Sequence, residues 1–171
     1  MQVLRQQGRG LAGARNEGVG RCRSRFVAFC DADDRWTENA LAARLAVIDA
    51  DPQVFAVIGR LSLERLDGAP TTAAQQSRLG VPLPGFTPGA LLVRRALFDA
   101  IGLFDESLAI GADTDWFVRL HQSSFGIRVL QDAVLRKGAR ATSLSTDVSE
   151  YRRELLAIGR RYIQSQRKAA E

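Results

Sequence analysis

An apolar run that ends at a group of carboxylates constrains this chain more than any other feature. The run is Phe26–Cys30, and Asp31, Asp33 and Asp34 follow it directly. Short apolar runs rich in aromatic and β-branched residues are typical of buried strands. An unpaired buried carboxylate costs several kcal/mol, so the strand is expected to end at the rim of a sheet. In open α/β sheets, this rim is where ligands bind.

On this stretch alone, two interpretations of the acidic turn stay open. Carboxylates packed this closely repel each other, and a hard divalent cation relieves that repulsion. The same residue types are also common in turns and at helix N-caps. Two other acidic motifs are excluded. A haloacid-dehalogenase phosphatase requires a threonine where Arg35 stands, and an EF-hand loop requires a glycine and does not follow a strand.

Length and composition indicate one globular domain. The chain has 171 residues, a formal charge of +5 and a sequence pI near 10.0, and all but two of its 24 basic residues are arginine. Arginine suits phosphate recognition, and a basic chain is compatible with nucleotides, anionic membranes or nucleic acid. Nucleic acid is not expected as a partner, because no known motif or basic stripe with interleaved aromatic residues is present.

The cellular location expected from the sequence is the cytoplasm, either free or at a membrane surface. Cys22 and Cys30 do not form a disulfide framework, and no signal peptide precedes them. No apolar run approaches the ~18 residues of a membrane span. The sequence leaves open an oligomer of identical chains.

Hydrophobic periodicity predicts helices that alternate with strands, which favours an α/β sheet. A polar, proline-rich segment, 71–86, shows no clear period and is expected to be a mobile loop. Thr37 is expected to cap the second helix. The predicted helices span about 11–19, 38–49, 96–101, 111–122 and 150–168; the predicted strands span 26–30, 54–66, 89–95, 127–130 and 133–135, with a strand tail at Val3 and Leu4.

Two blocks of sequence together resemble family 2 glycosyltransferases of the GT-A fold. The first block joins Ala-Arg-Asn-Glu-Gly at 14–18 to the strand and D-x-D turn at 26–36. The second comprises Gly-Ala-Leu-Leu-Val-Arg-Arg at 89–95, Gly-Leu-Phe-Asp-Glu-Ser-Leu at 102–108 and Ala-Asp-Thr-Asp-Trp at 112–116. Both blocks occur in the family's order, and the resemblance extends over about residues 3–145.

The resemblance implies a Rossmann-like mixed sheet flanked by helices, which forms one partial GT-A domain. Residues 1–66 would hold the remainder of the nucleotide-sugar half, 67–88 a flexible loop, 89–145 the acceptor half and 146–171 a C-terminal helix. Because the family opens with a further strand, helix and strand, the fold is expected to be truncated at its N-terminus. The chain alone is then expected to bind nucleotide weakly.

The resemblance also implies roles in metal-assisted, inverting sugar transfer. Asp33 would bind a divalent cation, Mg²⁺ or Mn²⁺, and Asp31 the cation or the ribose of a nucleotide-sugar donor, expected to be a UDP-sugar. Arg15 would contact the nucleotide or its diphosphate, although a structural salt bridge is equally compatible. Asp113 would be the general base for the acceptor hydroxyl, with Asp115 as the second candidate. The acceptor would be a glycan, a lipid-linked molecule or a small molecule.

Three departures from the family pattern keep a second hypothesis open, that of a non-catalytic binding or scaffold subunit. Ala112 replaces the usual glutamate before the proposed base. Lys137 and Gly138 stand where many relatives carry a histidine. The third departure is the expected truncation. Trp36 and Trp116 have the chemistry to stack on sugar rings, but large aromatic residues more often belong to the core.

Overall fold

The computed structural model describes residues 3–6, 10–66, 68–140 and 148–169. In chain order the elements are α1 (Gly10–Arg21), β1 (Phe26–Ala28), β2 (Arg35–Trp36), α2 (Ala40–Ala50), β3 (Val54–Arg65), α3 (Ala73–Gln76), β4 (Leu83–Pro84), a 3₁₀ turn (Pro88–Ala90), β5 (Leu91–Arg94), α4 (Ala96–Ile101), α5 (Ala112–Gln122), β6 (Gly126–Ala139) and α6 (Val148–Ala169). None of the helices in these ranges has the length and hydropathy needed to cross a bilayer.

One mixed sheet organises the fold, in the order β1–β5–β3–β6–β2, with β4 also paired to β3. The pairing of β3 with β6 is parallel, and the other pairings are antiparallel. The parallel ladder runs from Val54 opposite Gly126 to Arg65 opposite Ala139. This mixed α/β sheet flanked by helices confirms the expected fold class.

Helices cover both faces of the central strands. Successive strand residues point to opposite faces of the sheet, so each face presents its own apolar side chains to a helix. Ile58 and Val93 face a core shared with α1, α4 and α5, whereas Val57 and Leu92 pack with Ile48 of α2. These apolar strands are therefore buried on both faces.

Aromatic side chains dominate the core beneath α4 and α5. Trp116 is fully buried, and its ring centroid lies 5.1 Å from that of Phe98 and 5.6 Å from that of Phe104. Its indole N–H donates to the Gly102 carbonyl at 3.0 Å. Trp36 donates in the same way to the Gly89 carbonyl at 2.9 Å. Both tryptophans are thus part of the packing, and neither lines the pocket described below.

Several sequence-predicted boundaries differ from the structure. The strand predicted at 26–30 stops at Ala28, the last residue paired with β5, and the Phe29 ring packs against Phe98 and Phe104. The two strands predicted at 127–130 and 133–135 form one strand, β6, whose irregular register with β3 accommodates the residues between them. No strand forms among residues 3–6.

The predicted cap at Thr37 is wrong. Helix α2 begins at Ala40 after Asn39, and the Thr37 hydroxyl donates instead to the Ala133 carbonyl at 3.0 Å. The segment 71–86, expected to be a loop throughout, contains α3 and β4. Helix α3 begins with a capping box in which Thr72 and Gln75 each accept a hydrogen bond from the other's backbone N–H.

Candidate active site

A pocket of about 430 Å³ brings together all four site residues predicted from the sequence. Arg15 comes from α1, Asp31 and Asp33 from the turn after β1, and Asp113 from the first turn of α5. In the antiparallel pairing of β1 with β5, the acidic turn that follows Ala28 lies beyond Leu92 at the start of β5, on the side where Thr87 also lines the pocket. One pocket therefore contains both the carboxylates and the arginine that the motifs singled out.

Asp31 and Asp33 each face a cation at this pocket. The Arg15 NH2 group lies 3.1 Å from both carboxylate oxygens of Asp31. The Arg140 NH2 group lies 3.0 Å from Asp33 Oδ2. The two aspartate side chains keep 25% and 31% of their surface exposed, so their oxygens remain accessible from the pocket.

Asp34, the third carboxylate of the turn, is buried and makes structural contacts. Its side chain is 1% exposed, lies 3.4 Å from Lys137 Nζ and accepts the Gly138 backbone N–H at 3.0 Å. Burial raises the pKa of Asp34, and Lys137 and the Gly138 N–H act against that increase. The close approach also requires glycine, since a Cβ at Gly138 would lie 2.4 Å from the Asp33 carbonyl oxygen. Asp34 therefore ties the acidic turn to the end of β6.

Helix α1 is attached to the second half of the chain by Asn16, the residue after Arg15. Its side-chain oxygen accepts the Phe104 backbone N–H, and its side-chain nitrogen donates to the Phe104 carbonyl, both at 2.9 Å. The same nitrogen donates to Glu106 at 2.9 Å. This reciprocal pair fixes α1 and orients Arg15, which is 9% exposed, towards the pocket.

Asp113 is half-buried and has access to the pocket. Burial raises its pKa, while the hydrogen bond from the Thr114 N–H and the charges of Arg15 and Lys137 oppose the rise. Across the described ranges, no arginine or lysine forms a salt bridge with Asp113. Its carboxylate thus has proton affinity above that of an exposed aspartate and no cation bound directly to it.

Asp115, the second candidate for the base, has a structural role. It is 7% exposed and lies 2.9 Å from Arg119 Nε and 3.3 Å from Arg161 NH2. It does not line the pocket that contains Asp113. The neighbouring Ala112 is 6% exposed and belongs to the aromatic core cluster.

Glu154 on α6 holds the segment that leads into α5. Its two carboxylate oxygens accept the backbone N–H groups of Ala109, Ile110 and Gly111 at 2.7, 3.0 and 2.6 Å. Burial raises the pKa of Glu154, but the three hydrogen bonds and the charge of Arg153 together outweigh burial and leave the pKa below its usual value. Ala109 and Ile110 also line the pocket, so Glu154 fixes part of its wall.

The described parts of the chain contain no cluster of three metal-ligating side chains. Mg²⁺ is commonly bound by one or two carboxylates together with substrate phosphates and water. Asp31 and Asp33 supply accessible oxygens at one pocket, beside cations that attract phosphate. The donor set therefore fits a cation that is shared with a bound diphosphate.

Lys137 and Arg140 also line the pocket, although the motifs gave neither a role. Glu154 likewise lacked any sequence signal. Each of these residues meets its partner across more than 40 positions of sequence, in pairs such as Arg140 with Asp33. No short sequence motif indicates pairs of residues that lie so far apart along the chain.

Comparison with known proteins adds an independent observation. The family model described as glycosyl transferase family 2 matches residues 2–102. The succinoglycan biosynthesis protein ExoO of Rhizobium meliloti (strain 1021) is 30% identical over 129 residues, which are 65% of this chain and 37% of ExoO. The putative teichuronic acid biosynthesis glycosyltransferase TuaG of Bacillus subtilis (strain 168) is 35% identical over 68 residues, 40% of this chain and 27% of TuaG. The chain spans well under half of either relative.

Two solved structures of S. aureus TarS 1–349 share the fold. The complex with UDP-GlcNAc aligns with a TM-score of 0.59 and 20% identity, over 85% of this chain and 43% of TarS 1–349. The complex with UDP aligns with a TM-score of 0.56 and 20% identity, over 81% and 43%. At this identity the likeness is one of fold.

Proposed function

Because this chain belongs to glycosyl transferase family 2 and shares the GT-A fold of its structural neighbours, we propose that it transfers a sugar from a nucleoside diphosphate sugar to an acceptor hydroxyl. The observation that carries the proposal is the convergence of Arg15, Asp31, Asp33 and Asp113 on one pocket. TarS has been crystallised with UDP and with UDP-GlcNAc, which favours a UDP-sugar as donor. The names of ExoO and TuaG favour a glycan as acceptor.

Asp113 has the properties required of the general base. A half-buried carboxylate with a raised pKa is better matched to proton abstraction near neutral pH than an exposed one. The acceptor oxygen attacks the anomeric carbon as its proton passes to Asp113, while the bond from that carbon to the diphosphate oxygen breaks. The bonding electrons leave with the diphosphate, and a single displacement inverts the anomeric centre.

The cations of the pocket would stabilise the departing diphosphate. Arg15, Lys137 and Arg140 all line the pocket, and each lies within 3.4 Å of an aspartate oxygen. Arginine and lysine placed where negative charge develops lower the barrier to its departure. Arginine in particular matches phosphate with two parallel donors.

A divalent cation, Mg²⁺ or Mn²⁺, would be held by Asp33 and Asp31 together with the donor's phosphate oxygens. When bound, it supplies Lewis-acid neutralisation of the diphosphate. Asp31 would be released from Arg15 on donor binding, which frees the guanidinium to face the phosphate.

The second candidate, a binding subunit without turnover, is favoured by one observation. Ala112 packs into the core, so the carboxylate that relatives carry beside the base has no counterpart at this position. Such a subunit would bind the donor and release no nucleotide in the presence of acceptor.

Nucleotide release from a panel of UDP-sugars, assayed with glycan acceptors, tests the proposal. We expect Asp113→Asn to lower the rate by about 10²- to 10⁴-fold, as for removal of a general base. Asp99→Asn is the matched control, because Asp99 is 70% exposed and pairs with Arg95, the residue that precedes its helix α4. A rate unchanged by Asp113→Asn would exclude Asp113 as the base. Donor binding without release by the unmodified protein would favour the binding subunit.

A further inference from the structure

One side of α6 packs on the protein, and the opposite side exposes apolar residues. Glu154 and Ile158 are 8% and 4% exposed and mark the inward side. An α-helix turns about 100° per residue, so Leu156 lies about 200° round the axis from Glu154. Leu156 and Ile163, seven residues apart on the same side, are 56% and 53% exposed. They form an apolar stripe with no packing role in the described core.

The exposed apolar surface continues towards α5. Leu155 and Tyr162 are 37% and 39% exposed and border an apolar cavity of about 450 Å³ between α5 and α6. Phe86, which is 58% exposed, closes the far side of the cavity mouth against Phe117. Large apolar residues scattered singly over a surface are ordinary, but a contiguous group marks an interaction site.

Arginines border this apolar stripe. Arg152 and Arg160 stand four residues before and after Leu156, and Arg167 stands four residues after Ile163; all three are exposed. Residues four apart share one face of a helix. Arg161, in contrast, points inwards and pairs with acidic residues of the protein body, Asp105 and Asp115.

A helix with exposed leucine, isoleucine and tyrosine flanked by arginines matches the surface of an anionic bilayer. Such helices lie in the interface, with apolar side chains among the acyl chains and basic side chains at the headgroups. The long arginine side chains reach sideways to the charged layer while the stripe is buried. Each basic residue near an anionic bilayer adds to its affinity.

A second copy of this chain is a poorer occupant of the same face. A twofold contact brings the same surface of both copies together, so the arginine-rich borders formed by Arg152, Arg160 and Arg167 would lie against the corresponding borders of the second copy. The chain already has a net charge of +5, and that contact would add repulsion between like charges.

We propose that the outer face of α6, formed by Leu155, Leu156, Tyr162 and Ile163 with their flanking arginines, binds the surface of a membrane rich in anionic phospholipid. The proposal does not depend on the pocket or on catalysis. It assigns α6 a docking role parallel to the bilayer, with Phe86 and the cavity mouth next to the acyl chains.

Co-sedimentation with phosphatidylcholine vesicles, with and without phosphatidylglycerol, tests this role. We expect the protein to bind the anionic vesicles, and the affinity to fall as salt is raised. The double variant L156S/I163S should weaken binding by tenfold or more, because two apolar side chains no longer enter the bilayer. Arg152→Gln and Arg160→Gln should each weaken it by about fivefold.

Matched controls come from β6, where Val129 is 49% exposed and Arg128 is 57% exposed. Val129→Ser and Arg128→Gln should leave vesicle binding unchanged, and thermal unfolding of each variant verifies its fold. Equal binding to both vesicle types, or equal weakening by the β6 controls, would overturn the proposal. A dimer in light scattering that L156S/I163S converts to a monomer would replace the membrane with a second copy.

Discussion

At Asp113, burial and the nearby positive charges have opposite effects on the pKa of the carboxylate, which also has to remain accessible from the pocket. Burial raises its proton affinity, and the charges of Arg15 and Lys137 limit the rise. A cation bound directly to Asp113 would remove the proton affinity that a base requires. The pairing of Arg15 and Arg140 with Asp31 and Asp33 keeps these cations at the pocket while leaving the Asp113 carboxylate for the acceptor.

This balance predicts opposite effects of Asp113→Asn on activity and on stability. Because the folded pKa is raised, the folded state binds more protons than the unfolded state between the usual value of 3.8 and the folded pKa. Stability therefore falls as pH rises through the folded pKa. We expect Asp113→Asn to be more stable than the unmodified protein at neutral pH, with the difference disappearing as pH falls below the usual pKa of 3.8.

Urea unfolding at neutral and acidic pH measures this difference. The pKa of Asp113 also governs sugar transfer, so the transfer rate of the unmodified protein should fall as pH is lowered through this pKa. An Asp113→Asn protein that is less stable at neutral pH would contradict the raised pKa. Measuring both stability and activity therefore distinguishes loss of the general base from disruption of the fold.

At single residues, the sequence was informative where the residues stand in short motifs. Arg15, Asp31, Asp33 and Asp113 line one pocket, as their motifs implied, and their roles stay predictions. The environment of Asp34 was not predictable, because Lys137 and Gly138 reach it from 103 and 104 positions away.

Among the elements, α6 makes the clearest structural connection to the site, through the hydrogen bonds of Glu154. Glu154 satisfies three backbone N–H groups just before α5, at the end of the helix dipole that favours negative charge. The same helix thus fixes the pocket wall on its inner side and exposes apolar residues on its outer side.

Replacing Glu154 with glutamine should destabilise the protein by about 2 kcal/mol at neutral pH, because neutral acceptors bind these N–H groups more weakly. The pKa of Glu154 is lowered on folding, so its stabilising effect is present above the usual value of 4.5 and is lost as pH falls through the folded pKa. The difference between the two proteins should therefore shrink in acid.

Urea unfolding at two pH values tests this, with Glu150→Gln on the same helix as the matched control. Glu150 pairs with Arg153 on the exposed part of α6. The transfer rate of Glu154→Gln should also fall, because Ala109 and Ile110 line the pocket. Equal stability of Glu154→Gln and the unmodified protein would show that α6 does not anchor α5.

Hydrophobic periodicity predicted the types of the longer elements, whereas several of their ends and the short elements β2, α3 and β4 were not predicted. Helix α2 starts two residues late because the Thr37 hydroxyl bonds to Ala133, a contact made across the sheet. Strand β2 was missed, since Arg35 and Trp36 pair with β6 only through that distant strand. Tertiary contacts thus decide positions that local propensity leaves open.

For the whole molecule, the sheet explains why residues far apart in sequence share one pocket. Its neighbours β1 and β5, and β3 and β6, join the first half of the chain to the second. The fold class followed from alternating elements and from the family resemblance, but the parallel register of β3 with β6 had no sequence signal. The division at 66 and 88, the cytoplasmic location and a homo-oligomer stay predictions, and the predicted boundary at 145 lies outside the described residues.

Calorimetric titration of the protein with UDP, in the presence and absence of Mg²⁺ or Mn²⁺, tests the central claim most directly. That claim is that the pocket binds a nucleoside diphosphate with a shared cation. We predict cation-dependent binding that Asp33→Asn abolishes and that Asp113→Asn and the control Asp49→Asn retain, since Asp49 is 53% exposed on α2. Binding to Asp33→Asn with unchanged affinity and unchanged cation dependence, or no UDP binding by the unmodified protein, would contradict the account.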